Sequence, residues 1–157
     1  MTIPRTYLGV DPGSTTGLAV LRLTGDGYIA AHDQVAGPHD ASYWIREHCE
    51  GQFIELVYET FYIGGRTLRA ANQGVFDALY LVGWIAVECE DWLQCRMFAQ
   101  SPAEGKTVKD DILRGMGLYN PSMVHGTDAM RHLVRHHLNY VRGGAVSKKY
   151  VDVVNNI

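Results

Sequence analysis

What most limits the folds open to this chain is the order of its strand-like and helix-like runs. Tyr7-Leu8-Gly9-Val10 has the apolar density of a short buried strand and stops at Asp11-Pro12-Gly13, a strong turn signal. Gly17 to Leu23 is largely aliphatic, Gly25-Asp26-Gly27 turns the chain, and Tyr28 to Val35 adds a third run of mixed character. Three strands joined by tight turns read as an antiparallel meander. Asp40 or Ser42 is placed to cap a helix running through Glu50, and Phe53 to Tyr58 forms a fourth strand that ends at Glu59. After Gly64-Gly65, the stretch from about Arg66 to Trp92 contains no proline. Leu68, Val75, Leu79, Val82, Ile85 and Ala86 recur there at helical spacing. Cys95 to Ala99 is a fifth strand, Pro102 to about Gly115 one or two short helices, and Gly117 to Met123 a loop. The last helix runs from about Thr127 to Val141 and is ended by Gly143-Gly144.

The order is therefore β-β-β-α-β-α-β-α, and the last two strands need helical crossovers, so they pair in parallel. That is the ribonuclease H-like order: an α/β fold with a five-stranded mixed sheet, an antiparallel three-stranded meander plus two parallel strands, flanked by helices. A chain of 157 residues has room for one such domain and not two. Residues 1–142 are expected to form it, and 143–157, with Lys148-Lys149, a tail. The hydrophobic fraction of 46% is enough for an ordinary globular core. Cys49, Cys89 and Cys95 are odd in number and lack CxxC spacing, which argues against a disulfide framework or a zinc site and for reduced thiols in a cytoplasmic setting. No charged-then-apolar leader precedes the first strand, and no apolar stretch approaches the ~20 residues of a membrane span, so neither export nor membrane insertion is expected.

With 14 Lys+Arg against 17 Asp+Glu, the formal charge of −3 argues at first sight against a nucleic-acid binder. The distribution changes that. Residues 1–60 hold three basic and eight acidic groups (−5), residues 61–105 three and five (−2), and residues 106–157 eight and four (+4).

Asp11 and Glu59 close two strands that are neighbours in such a sheet, at the edge where open α/β sheets expose their ligand sites. Adjacent carboxylates repel unless a divalent cation bridges them, and hard oxygen ligands select Mg²⁺ or Mn²⁺ over Zn²⁺. Taken singly, Asp11 is also an ordinary Asp-Pro-Gly turn and Glu59 a solvated strand end. A third acid, Asp128, opens the last helix with His125 three residues ahead of it. At ~100° per residue, His125, Asp128, Arg131, His132 and Arg135 fall on one side of that helix. Met130, Leu133, Val134 and Val141 fall on the other, which is its core face. The plain structural alternative makes Asp128 a first-turn residue favoured by the helix dipole and the His/Arg stripe a solvated face.

At Leu8-Gly9-Val10-Asp11-Pro12-Gly13 with Thr16-Gly17, Glu59 and His125-x-x-Asp128, the chain resembles the RuvC-type Holliday-junction resolvases, especially their compact phage-type members. The resemblance spans roughly residues 7–140. It implies that Asp11, Glu59, His125 and Asp128 are the catalytic and metal-binding residues, with two Mg²⁺ ions, replaceable by Mn²⁺, about 3.5–4 Å apart for hydrolysis of a DNA phosphodiester by water. His125 would serve as a ligand or as an acid/base group. The resemblance further implies a junction-stacking aromatic just after Glu59, where Tyr62 is preferred and Phe61 is the alternative. Arg66 and Arg69 are implied phosphate contacts. Lys106 is implied as a basic group near the active site, with Lys109 second; the connection before the final helix is shorter here than in the cellular resolvases. The long helix at about 66–92 is implied as the contact of a homodimer, the symmetry that paired nicks in a four-way junction ask for.

An Asp-x-Gly turn followed by hydroxyl residues also occurs in sugar kinases and actin-like ATPases, but those need two such domains to close a nucleotide cleft. A nuclease of the same fold acting on structured RNA is the nearer alternative. A non-catalytic module that binds branched DNA is another, and finding three acids and a His at matching places weakens it.

Overall fold

β1 (Thr6–Asp11) runs through the middle of the sheet, as its unbroken apolar sequence asks: a strand covered on both faces carries apolar residues at successive positions. The computed structural model describes residues 6–24, 27–61, 73–91 and 95–143. β2 (Thr15–Thr24) pairs antiparallel with β1, and β3 (Gly27–Ala36) antiparallel with β2. β4 (Ile54–Glu59) lies parallel to β1 on its other side, and β5 (Cys95–Gln100) parallel to β4, giving the order β3-β2-β1-β4-β5. Among the described residues the helices are α1 (Gly37–Cys49), α2 (Gln73–Asp91), α3 (Pro102–Gly105), α4 (Asp110–Gly115) and α5 (Val124–Gly143). The expected meander, the two parallel strands and the mixed five-stranded sheet are all present.

The two-residue period of the strands divides the core into two layers. On one face Leu8, Val10, Leu18, Val20, Ile54 and Leu56 pack with Ile45 of α1 and with Leu81 and Ile85 of α2. On the other, Tyr7, Ala19, Leu21 and Val57 meet Leu113 of α4 and Ala129, Met130, Leu133 and Val134 of α5. The apolar side assigned to the last helix is thus its core side.

Several sequence expectations need correction. α1 begins at Gly37 with Ala36 at its N-cap, not at a cap made by Asp40 or Ser42. Gly37 has φ +73°, open to glycine, and its N–H donates to the Ser14 carbonyl at 2.9 Å, while Pro38 suits the first turn. Asp40 falls in that first turn, and the Ser42 hydroxyl donates instead to the His39 carbonyl. α5 begins at Val124, ahead of Thr127: the Thr127 N–H donates to the Met123 carbonyl at 2.8 Å, an i to i−4 bond that puts His125 inside the first turn.

The reduced-thiol expectation also fails. Cys89 and Cys95 form a disulfide, with Cα atoms 5.0 Å apart, because the end of α2 returns to the start of β5 on the same packed face. Cys49 is the free cysteine, buried, with its thiol pushed up to about 12 by that burial. The cysteines therefore carry no argument about compartment. Among the described residues no helix is long and apolar enough to cross a membrane. The tail beyond 143 and the start of the expected 66–92 helix lie outside the described residues.

Candidate active site

The C-terminal ends of β1 and β4 put two carboxylates side by side. Val10 is paired with Tyr58, so Asp11 and Glu59 are the next residues along, and strand alternation turns both toward the α5 side of the sheet, as it does Val57. α5 then carries His125 and Asp128 across the same edge, one turn apart on one helix face.

The approach of α5 depends on glycine. A Cβ at Gly9 would stand 2.6 Å from the Ala129 carbonyl oxygen, and one at Gly17 would run into the carbonyl of His125. Gln34 on β3 accepts the His125 backbone N–H at 3.2 Å and ties the first turn of α5 to the sheet. Asp11, Glu59, His125, Asp128 and Lys106 all line an open cleft of about 340 Å³. Lys106 sits exposed at the C-cap of α3, whose start is fixed by Glu104 accepting the Ser101 N–H at 2.7 Å in an S-x-x-E box.

Each of the three carboxylates is engaged by a different nitrogen donor. His125 Nδ1 donates to Asp11 Oδ2 at 3.0 Å. His132 Nε2 lies 2.8 Å from Glu59 Oε2. Arg131 Nη1 donates to Asp128 Oδ1 at 2.6 Å, its Nη2 pairs with Asp110, and its Nε donates to the Val108 carbonyl at 3.2 Å. Asp110 is held below the usual carboxylate range chiefly by this hydrogen bond from Arg131. Asp11 moves the other way. Burial raises it, the neighbouring charges of Glu59 and Asp128 add to the rise, and the hydrogen bond from His125 only partly offsets them.

An acid centre of this kind fits a hard divalent cation in its donors and in their placement around one cleft. It is not a preformed cage: among the described residues no three His, Cys, Asp or Glu side chains are grouped closely enough to hold an ion as they stand. The observation that bears on fit is the donor set itself, three carboxylates and an imidazole lining one cleft, with Asp11 partly buried among them, a like-charge cluster that a bound cation would relieve.

Of the remaining sequence candidates, Lys109 is exposed at the N-cap of α4 and is not among the cleft-lining residues. Phe61 is half-buried beyond Thr60, whose N–H donates to the Gln100 carbonyl at 2.7 Å, and it does not line the cleft. Tyr62, Arg66 and Arg69 lie outside the described residues. The reading of the α5 His/Arg stripe as a solvated face is corrected at two positions. His132 is 1% exposed because the ends of β4 and β5 and the backbone of α3 meet its ring, and the Arg131 side chain is 16% exposed, drawn onto the Val108 carbonyl, Asp110 and Asp128. Helical periodicity grouped both with His125 and Asp128; it carried no information on what covers that face.

The arrangement is a ribonuclease H-like fold. Among the solved structures to which the chain is similar is RuvC from T. thermophilus, in complex with a Holliday junction substrate. The match has a TM-score of 0.59 at 16% sequence identity and covers 89% of this chain and 96% of that one, so the likeness is one of fold. No protein-family model and no curated protein matches the sequence.

Proposed function

We propose that the protein is a divalent-metal-dependent endonuclease that cuts branched DNA, four-way junctions above all, by phosphodiester hydrolysis. The observation that carries this reading is the convergence of Asp11, Glu59, His125 and Asp128 from two strand ends and one helix on a single cleft. The similarity in fold to RuvC, solved with a Holliday junction, supports the choice of substrate.

In this mechanism Asp11, Glu59 and Asp128, which line one cleft, are the residues that would hold the divalent cation. When bound there, Mg²⁺ or Mn²⁺ would supply Lewis-acid activation of water and charge stabilisation at the leaving oxygen. His125, already hydrogen-bonded to Asp11 and with a side chain 46% exposed, is placed to assist at the scissile phosphate. Lys106 on the cleft wall is placed to neutralise a DNA phosphate. No cysteine lines the cleft, and direct attack by water calls for no covalent intermediate.

A junction carries two equivalent strands to be nicked, which favours a two-fold dimer. α2 supports one. Ala78, Leu81, Ile85 and Cys89 face the core, while Phe76, Leu79, Tyr80 and Val87 form a second apolar stripe that is 45–64% exposed.

The substrate test incubates four-way junction, flap, linear duplex and structured RNA with the protein in Mg²⁺ or EDTA. The expected outcome is Mg²⁺-dependent cleavage of the junction well above that of the duplex. Preferential cutting of RNA, or cleavage that persists in EDTA, would overturn the proposal.

A further inference from the structure

Glu59 is a carboxylate of the cleft whose partner, His132, is itself held at both ring nitrogens and on one ring face. His132 lies on α5 one turn beyond Asp128 and two turns beyond His125, so its ring descends from the same helix face to the end of β4. It is 1% exposed. Nε2 faces Glu59 Oε2 at 2.8 Å and Nδ1 faces Gln100 Oε1 at 2.9 Å. Glu59 is an acceptor only, so Nε2 carries the proton; Nδ1 is completed either by a second proton or by the Gln100 amide turned over. The donor to Glu59 is the same in both states. Gln100 is itself buried, and its carbonyl accepts from Thr60, the residue after Glu59. One ring face lies on Gly105, where an added Cβ would come within 2.6 Å of Nε2 and 2.7 Å of Cε1.

We infer that His132 is a positioning residue: through its Nε2–H it fixes the Glu59 carboxylate with Oε2 turned inward and Oε1 left to take a divalent cation in the cleft. The inference rests on the metal-dependent reading above. A packing role alone would need neither a buried amide on the second ring nitrogen nor a carboxylate on the first. A glutamate side chain at a strand end otherwise samples several rotamers, and ordering it beforehand removes that cost from metal binding.

The test measures Mn²⁺ affinity in the absence of DNA, by electron paramagnetic resonance of the free ion, for the whole chain and four variants checked for folding by circular dichroism. Wild type is expected to bind and Asp11→Asn to lose binding. His132→Phe, which keeps a ring but no donor, should bind Mn²⁺ ~10–100-fold more weakly. His132→Gln, which keeps an N–H donor, should recover most of that loss. Gly105→Ala, which removes no functional group but displaces the ring, should weaken binding as His132→Phe does, and it decides the matter if His132→Phe does not fold. Wild-type affinity in folded His132→Phe or in Gly105→Ala, or no recovery in His132→Gln, overturns the positioning role and leaves the metal reading standing. No Mn²⁺ binding by wild type overturns both.

Discussion

Asp11 is pushed toward its protonated form, chiefly by burial, and its behaviour without metal exposes that. Burial first, then Glu59 and Asp128, holds its proton to higher pH in the native state than in the unfolded chain. Its favourable contribution is therefore complete below the ordinary carboxylate value and is lost as pH rises through the raised native value. At neutral pH the ionised side chain costs stability. Asp11→Asn should accordingly raise the melting temperature in EDTA at pH 7 by a few degrees, while removing any further rise on adding Mg²⁺. A variant less stable than wild type in EDTA, followed by calorimetry, would show that the hydrogen bond from His125 outweighs the repulsion.

At the scale of elements, the site depends on how closely α5 lies on the sheet. Gly17 stands under the first turn of α5, with backbone, not a flexible side chain, as its neighbour. Gly17→Ala should cost ~1–3 kcal/mol, read as a lower urea midpoint, and should weaken metal binding because His125 and Asp128 move with the helix. Unchanged stability would mean that the helix can rise without cost. The meander, the crossovers and the acids at strand ends were legible in the sequence because each has a local cause: a turn, an apolar run, a break in periodicity. The start of α1 was not, since its first turn is set by a backbone bond from Gly37 to distant Ser14 and not by the caps at Asp40 or Ser42. The roles of His132 and Arg131 were also hidden. Periodicity put them on the right side of α5, but what meets them, β4, β5 and α3 at His132 and Val108 with Asp110 at Arg131, is not recorded in the helix sequence. The Cys89–Cys95 pairing escaped the spacing argument for the same reason: it joins the end of one element to the start of the next across a packed face.

At the scale of the molecule, the described residues present an acidic cleft at the edge of the sheet and an apolar stripe along α2. A formal charge of −3 is compatible with DNA binding because three of the acids are gathered where cations are proposed to sit, while the excess of basic residues follows residue 105. Sedimentation at micromolar concentration should give the mass of a dimer, and Phe76→Ser combined with Tyr80→Ser should give a monomer. A wild-type monomer, or a dimer untouched by the double change, would place the two-fold contact elsewhere or remove it. The central claim is that Asp11, Glu59, His125 and Asp128 form one hydrolytic centre. Single-turnover cleavage of an end-labelled four-way junction in Mg²⁺, wild type against Asp11→Asn, tests it most directly. A rate at least ~10³-fold lower in the variant, with both proteins equally folded, is the predicted result; cleavage by Asp11→Asn at the wild-type rate would contradict it.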